Sequence, residues 1–280
     1  MEIQRIGTFT LGWGERLVWD ERRQRLYFVD CGALTLHWLE DGNGDLSTVA
    51  APSMPTGIVP TEDGRLVVVL ADGLHLFDPD SRSWEMLAPY PDAVGGRCND
   101  MCADPVGNLI TGRLNLLPGE GSAWWYSHAD GWRLLDPDIV NTNGPQAAVL
   151  GGAMTLIVGD TAAHYYRYAY DPTTGAVGDR EVFGDVTELD GHPDGSTLDE
   201  SGGLWCALYG GAQLARFTTD GLDQTLAVPT SNPTDLTFGG PRLDRLYVVS
   251  TTGDEELDGT LLRIDCLDHV GRPEPRFRVA

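Results

Sequence analysis

The sequence predicts an all-β chain folded as a six-bladed β-propeller, one domain over residues 1–280, and three observations predict it. A β-rich run opened by leucine recurs six times. The 35 glycines and 17 prolines are spread along the whole length instead of collecting in a linker, and no stretch carries an amphipathic helix capped at both ends.

In chain order the six runs are Arg25-Leu26-Tyr27-Phe28-Val29, Arg65-Leu66-Val67-Val68-Val69, Asn108-Leu109-Ile110, Thr155-Leu156-Ile157-Val158, Gly203-Leu204-Trp205-Cys206 and Arg245-Leu246-Tyr247-Val248-Val249. Their leucines stand 40, 43, 47, 48 and 42 residues apart. Such spacing matches one four-stranded blade and is too long for a leucine-rich repeat. Within a copy a second alternating run follows, as in Leu74-His75-Leu76-Phe77 before Asp78-Pro79 and Tyr166-Arg167-Tyr168-Ala169-Tyr170 before Asp171-Pro172. These read as outer strands ending at Asp-Pro turns. A pair of β-sandwiches is the competing architecture, but sandwich strands follow one another at about 8 to 12 residues without this longer period.

Composition narrows the function. The chain has 280 residues, 41% of them apolar, enough for a substantial core. Nineteen basic residues against 42 acidic ones leave a net charge of -23, which repels phosphate backbones and anionic membranes, so no nucleic-acid or membrane partner is expected. Surplus acid keeps a protein in solution, and some of it can hold a cation. The start Met1-Glu2-Ile3-Gln4 lacks the basic and apolar segments of an export signal, and apolar runs such as Leu66–Ala71 are far too short to span a bilayer. A cytoplasmic protein, monomeric or weakly dimeric, is the expectation.

Cys31, Cys98, Cys102, Cys206 and Cys266 are odd in number and fall mostly inside expected strands, so they read as buried thiols. Cys98 and Cys102 have no second Cys/His pair to complete a zinc site.

In a propeller the strand lining the central channel starts at one mouth, so residues just ahead of the leucine runs should gather there. Glu15 lies 11 residues before Leu26, Asn99 10 before Leu109, Asn143 13 before Leu156 and Asp194 10 before Leu204. Glu15, Asn143 and Asp194 would form a hard oxygen site for one divalent ion, suited to calcium, magnesium or manganese and acceptable to zinc or ferrous iron. Open positions would remain for water and substrate. The competing reading is that Asn and Asp here only satisfy turn backbone.

Five motifs in order resemble the family of regucalcin (senescence marker protein), gluconolactonase and luciferin-regenerating enzyme. Gly14-Glu15-Arg16-Leu17-Val18-Trp19-Asp20, with Arg25 to Asp30 after it, is similar to the family's G-E-G-P-x-W-D segment. Arg97-Cys98-Asn99-Asp100 with Asp104-Pro105-Val106-Gly107-Asn108 is the second match, and Asn143-Gly144 with Gly159-Asp160-Thr161 the third. Pro193-Asp194-Gly195 with Asp199-Glu200-Ser201-Gly202 and the late Phe238-Gly239-Gly240-Pro241 complete the set. The resemblance implies Glu15, Asn143 and Asp194 as metal ligands and Arg97 and Asn99 as substrate contacts. Two departures, Arg16-Leu17 for a usual Gly-Pro and Met101 for a common glycine, bear on the substrate pocket more than on the metal set.

The activity so implied is hydrolysis of sugar lactones to aldonic acids. A metal polarises the lactone carbonyl and acidifies water, and Asp194 is the expected general base. Arg97 and Asn99 would hold sugar hydroxyls or the developing oxyanion. His192, just before Pro193-Asp194, is either a further substrate contact or a turn histidine exposed to water. Trp124-Trp125-Tyr126 is either a sugar-stacking face or strand packing, and Asp160 a supporting partner or a cap. Ser196 sits in no G-x-S-x-G elbow, which argues against a serine hydrolase. The alternatives are a metal-dependent phosphotriesterase or arylesterase, which would use the same cup, and a non-catalytic calcium-binding propeller, which would need neither Arg97 nor Asn99.

Overall fold

The computed structural model describes residues 1–91, 97–114, 121–265 and 267–279, and all of its regular structure is strand. Six antiparallel sheets follow one another along the chain. Their innermost strands are Gly14–Asp20, Gly57–Pro60, Arg97–Ala103, Thr142–Leu150, His192–Leu198 and Pro233–Gly239. Each touches the innermost strands of the sheets before and after it, and the sixth touches the first, so the ring closes. The N-terminal strand Glu2–Ile6 pairs with Leu261–Asp265 as the outer strand of the sixth blade, tying the two chain ends together.

The six leucine runs are the second strands of their blades, Arg25–Asp30, Leu66–Leu70, Leu109–Leu114, Ala153–Asp160, Leu204–Tyr209 and Arg245–Ser250, not the strands along the channel. The reason is burial. A second strand is covered on both faces by neighbouring blades and reads as a continuous apolar run, whereas an innermost strand turns one face to a polar channel. Six apolar clusters fill the spaces between blades; one, for example, joins Val67, Val69 and Leu74 of the second blade to Met101 and Leu109 of the third. The residues ahead of the runs therefore belong to the innermost strands themselves.

The C-terminal segment crosses the end of the ring opposite the site. Gly271 bridges to Asp199 of the fifth blade, and Phe277 exchanges backbone bonds with Pro60 and Glu62 of the second. Phe277 is fully buried, which contributes roughly 1.5–3 kcal/mol. Arg276 pairs with Asp20 of the first blade, and Arg278 bonds Gly107 of the third.

Cys31, Cys98, Cys102 and Cys206 are buried free thiols; Cys266 lies outside the described residues. Trp125 and Tyr126 are buried in the third strand of the third blade, Ser122–Ser127, which is the packing reading of that segment. Among the described residues no helix is long and apolar enough to cross a membrane.

Candidate functional site

At the starts of four innermost strands, two residues spaced i and i+2 reach one cavity of about 600 Å³; in the first and fourth blades the earlier of the two stands just ahead of the strand. The pairs are Trp13 and Glu15, Arg97 and Asn99, Asn141 and Asn143, and His192 and Asp194. A period of two puts both members of a pair on one side of the strand. All six residues singled out in the sequence, Glu15, Arg97, Asn99, Asn143, His192 and Asp194, thus line a single cavity. Trp13 and Asn141 were missed, although the same spacing of two would have pointed to them.

Local backbone irregularity aims these side chains. Pairing between the first and second strands slips by one residue between Glu15 and Val18, Asn99 and Met101, Asn143 and Gln146, and Pro193 and Ser196. Each slip is a β-bulge, which bends the strand and re-aims its residues toward the channel. Glycine makes two of the bulges possible. A Cβ on Gly144 would lie 2.5 Å from the Ser196 nitrogen, and one on Gly195 would lie 2.0 Å from Asp235 Oδ1.

The donors are held by a hydrogen-bond mesh. Asn143 Nδ2 donates to Thr161 Oγ1 (2.8 Å) and to the Pro193 carbonyl (3.1 Å), which turns its Oδ1 to the Asn99 amide, 2.5 Å away. The Asp194 carbonyl accepts from Tyr165 (2.7 Å), and Glu15 Oε1 from the Trp13 indole (2.8 Å). Asp160 accepts backbone N–H groups of Asn141 and Ala162, which is a cap. Among the described residues Asn141 Oδ1 is buried without a partner, leaving an acceptor for a ligand hydroxyl. Ser196 is buried and donates to the Gly144 carbonyl, so it is no nucleophile. His192 is exposed at the rim.

Negative charge is concentrated here. Burial lifts the Glu15 carboxyl to about 7, with the Trp13 N–H pulling the other way and Asp100 adding to the rise. Burial, then the charges of Glu15, Asp235 and Asp100, hold Asp194 well above the ordinary carboxylate range. Among the described residues no group of three or more His, Cys, Asp or Glu side chains is placed to hold a metal. The oxygen donors of this cavity that could take up a cation include the Glu15 and Asp194 carboxylates and the Asn143 amide.

Neither departure from the expected motifs shapes the cavity wall, which corrects the sequence reading. Met101 is buried in the cluster between the second and third blades. Arg16 is buried below the cavity, where its Nε donates to the Ile58 carbonyl (3.1 Å) and lies 3.6 Å from Asp100.

The fold and this mouth define a six-bladed propeller with a cavity at one end of its channel that sets two carboxylates and several amide and hydroxyl groups among apolar side chains. The chain belongs to the SMP-30/gluconolactonase/LRE-like family, which it matches over residues 13–252. It is 31% identical to a pentonolactonase of Haloferax volcanii over 100% of this chain and 99% of that protein. It is 32% identical to a 6-deoxy-6-sulfogluconolactonase of Pseudomonas putida, over 85% of this chain and 83% of the relative. Among solved structures, luciferin-regenerating enzyme superposes with a TM-score of 0.89 at 26% identity, covering 99% of both chains. Regucalcin of Agrobacterium tumefaciens, described as a calcium-binding protein, superposes with a TM-score of 0.88 at 26% identity, covering 96% of this chain and 95% of that one.

Proposed function

We propose that this protein hydrolyses sugar lactones to aldonic acids, with one divalent cation held by Glu15, Asn143 and Asp194. One observation carries the reading: in a chain of this family, those three oxygen donors share a cavity with Arg97, Asn99 and the unpartnered Asn141 oxygen. The substrate class is supported by relatives that bear the names pentonolactonase and 6-deoxy-6-sulfogluconolactonase.

The donor set suits a hard cation. Two carboxylates and an amide supply only oxygen, which favours calcium, magnesium or manganese and admits zinc or ferrous iron. The raised proton affinities of Glu15 and Asp194 mark negative charge that the fold alone leaves uncompensated. When bound, such a cation supplies Lewis acidity toward the lactone carbonyl and acidifies water.

The remaining steps fall to the chain's own side chains. Asp194 accepts the proton of the attacking water as the new C–O bond forms at the carbonyl carbon. As the ring C–O bond breaks, Asp194 returns that proton to the departing ring oxygen. Arg97 presents forked donors to the developing oxyanion or to sugar hydroxyls. Asn141 Oδ1 accepts from a further hydroxyl, and Leu114, Val140 and Tyr209 offer apolar surface to the carbon skeleton.

The test is a pH-indicator assay on a panel of aldonolactones, using chelated protein reloaded with each cation in turn. Turnover of at least one lactone that is lost on chelation and restored by a cation is expected. Turnover of aryl esters or phosphotriesters without any lactone would replace this reading.

A further inference from the structure

We infer that Trp13 is a positioning residue that serves both halves of the site, its indole N–H fixing Glu15 and its ring face fixing Arg97. This rests on the functional reading above, in which Glu15 holds the cation and Arg97 the substrate.

Trp13 is itself rigidly placed. The Asp30 carboxylate accepts the backbone N–H groups of Gly12 (2.7 Å), Trp13 (3.0 Å) and Ala33 (2.9 Å). Cys31 N donates to the Trp13 carbonyl (2.9 Å), and Trp13 also forms a bridge with Thr251 of the sixth blade. The loop that carries the indole is therefore pinned to two blades.

From that anchor the two sides of the indole act on different partners. Its Nε1–H occupies Glu15 Oε1 at 2.8 Å, which sets the carboxylate's orientation. The Arg97 guanidinium lies over the ring, 4.7 Å from its centre. Among the described residues no ion pair involves Arg97; one Nη donates to Met54 Sδ (3.6 Å), and the aromatic face takes the place of a carboxylate in holding the group, leaving its other donors for substrate.

Two substitutions separate the edge from the face. Trp13→Phe keeps an aromatic face and removes the N–H; Trp13→Leu removes both. Calorimetric titration of the chelated protein with Ca²⁺, Mn²⁺ and Zn²⁺, each alone, should show both variants binding about 10-fold to 100-fold more weakly than wild type. At saturating cation, KM for glucono-1,5-lactone and a pentono-1,4-lactone should stay within about twofold of wild type in Trp13→Phe and rise about tenfold in Trp13→Leu. A merely structural role would lower the melting temperature and move both constants alike in both variants. Wild-type cation affinity in Trp13→Phe, or an equal rise in KM in the two variants, would overturn the inference. A wild-type protein that bound no cation and cleaved no lactone would overturn the functional reading, and this inference with it. If Trp13→Phe does not fold, the eight indole N–H resonances of wild-type protein are followed as Ca²⁺ is added. One of them should shift while staying protected from exchange, and the lack of any such response also overturns the inference.

Discussion

Arg16 of the first blade and Glu274 of the C-terminal segment, 258 positions apart in sequence, form an ion pair buried inside the propeller. The Arg16 backbone is left-handed (φ 39°), an uncommon conformation for a side chain of this size. In the fourth blade the bulge position after the site residue is occupied by Gly144 (φ 44°). The guanidinium also faces Asp100, whose Oδ2 accepts from Gly144 N (2.7 Å), next to Asn143. Burial pulls Arg16 toward neutrality, but Glu274, Asp100 and Asp235 more than offset this, and its pKa is raised. The strap across one end of the ring is thereby linked to the bulge that carries a candidate ligand at the other.

Removing the cation from this network should be costly. Arg16→Leu leaves the Asp100 and Glu274 carboxylates without their countercharge, and about 3–5 kcal/mol of stability should be lost. Arg16→Leu combined with Glu274→Leu should lose less than the two single changes added together, because each single change already breaks the shared pair. Denaturant midpoints measure both. An Arg16→Leu variant within about 1 kcal/mol of the parent would show that the pair is not a structural requirement.

Cation binding should depend on pH through Glu15. Its carboxyl rises from 4.5 to about 7 in the folded, cation-free chain. A raised pKa means that the folded state holds the proton more tightly than the unfolded one. The associated stability is complete below about pH 4.5 and is lost as pH climbs through about 7. A cation competes with that proton, so affinity should increase from about pH 5 to about pH 7, with protons released on binding near pH 6. Calorimetry in two buffers of different ionisation enthalpy reads the release. Affinity flat across this window would contradict the placement of Glu15 in the cation site.

The sequence carried the blades and the cup for one physical reason and hid the rest for another. The leucine runs stand out because second strands are buried on both faces, so Leu66 to Leu70 is apolar without a break. Innermost strands look like turns instead: Asn143-Gly144-Pro145 and Pro193-Asp194-Gly195 are bulges facing a polar channel. Their distance from the leucines still exposed the site residues. Trp13 and Asn141 lacked a motif of their own, and only the spacing of two marks them. The Arg16–Glu274 pair and the closing strand Glu2–Ile6 join opposite ends of the chain, which no local pattern records.

Asn99 should prove less simple than a substrate contact. Its Nδ2 donates to the Thr142 carbonyl (3.1 Å) and to Asn143 Oδ1 (2.5 Å), the atom offered to the cation. Asn99→Ala should therefore weaken cation binding by about tenfold as well as raise KM. Steady-state kinetics and calorimetry on the same preparation separate the two effects. An increase in KM alone, at unchanged cation affinity, would return Asn99 to a purely substrate-facing part.

In the proposed function Asp194 both holds the cation and moves the proton in lactone hydrolysis. The most direct measurement is the turnover of Asp194→Asn with its cation occupancy determined in the same sample. The amide keeps an oxygen for the cation but loses the basic lone pairs, so the variant should still bind, though more weakly. At saturating cation its kcat on every lactone that the parent cleaves should fall about 10²-fold or more. Turnover near that of the parent, with the cation bound, would rule out Asp194 as the base and move the proton transfer to another group at the mouth, with His192 the nearest candidate in the sequence.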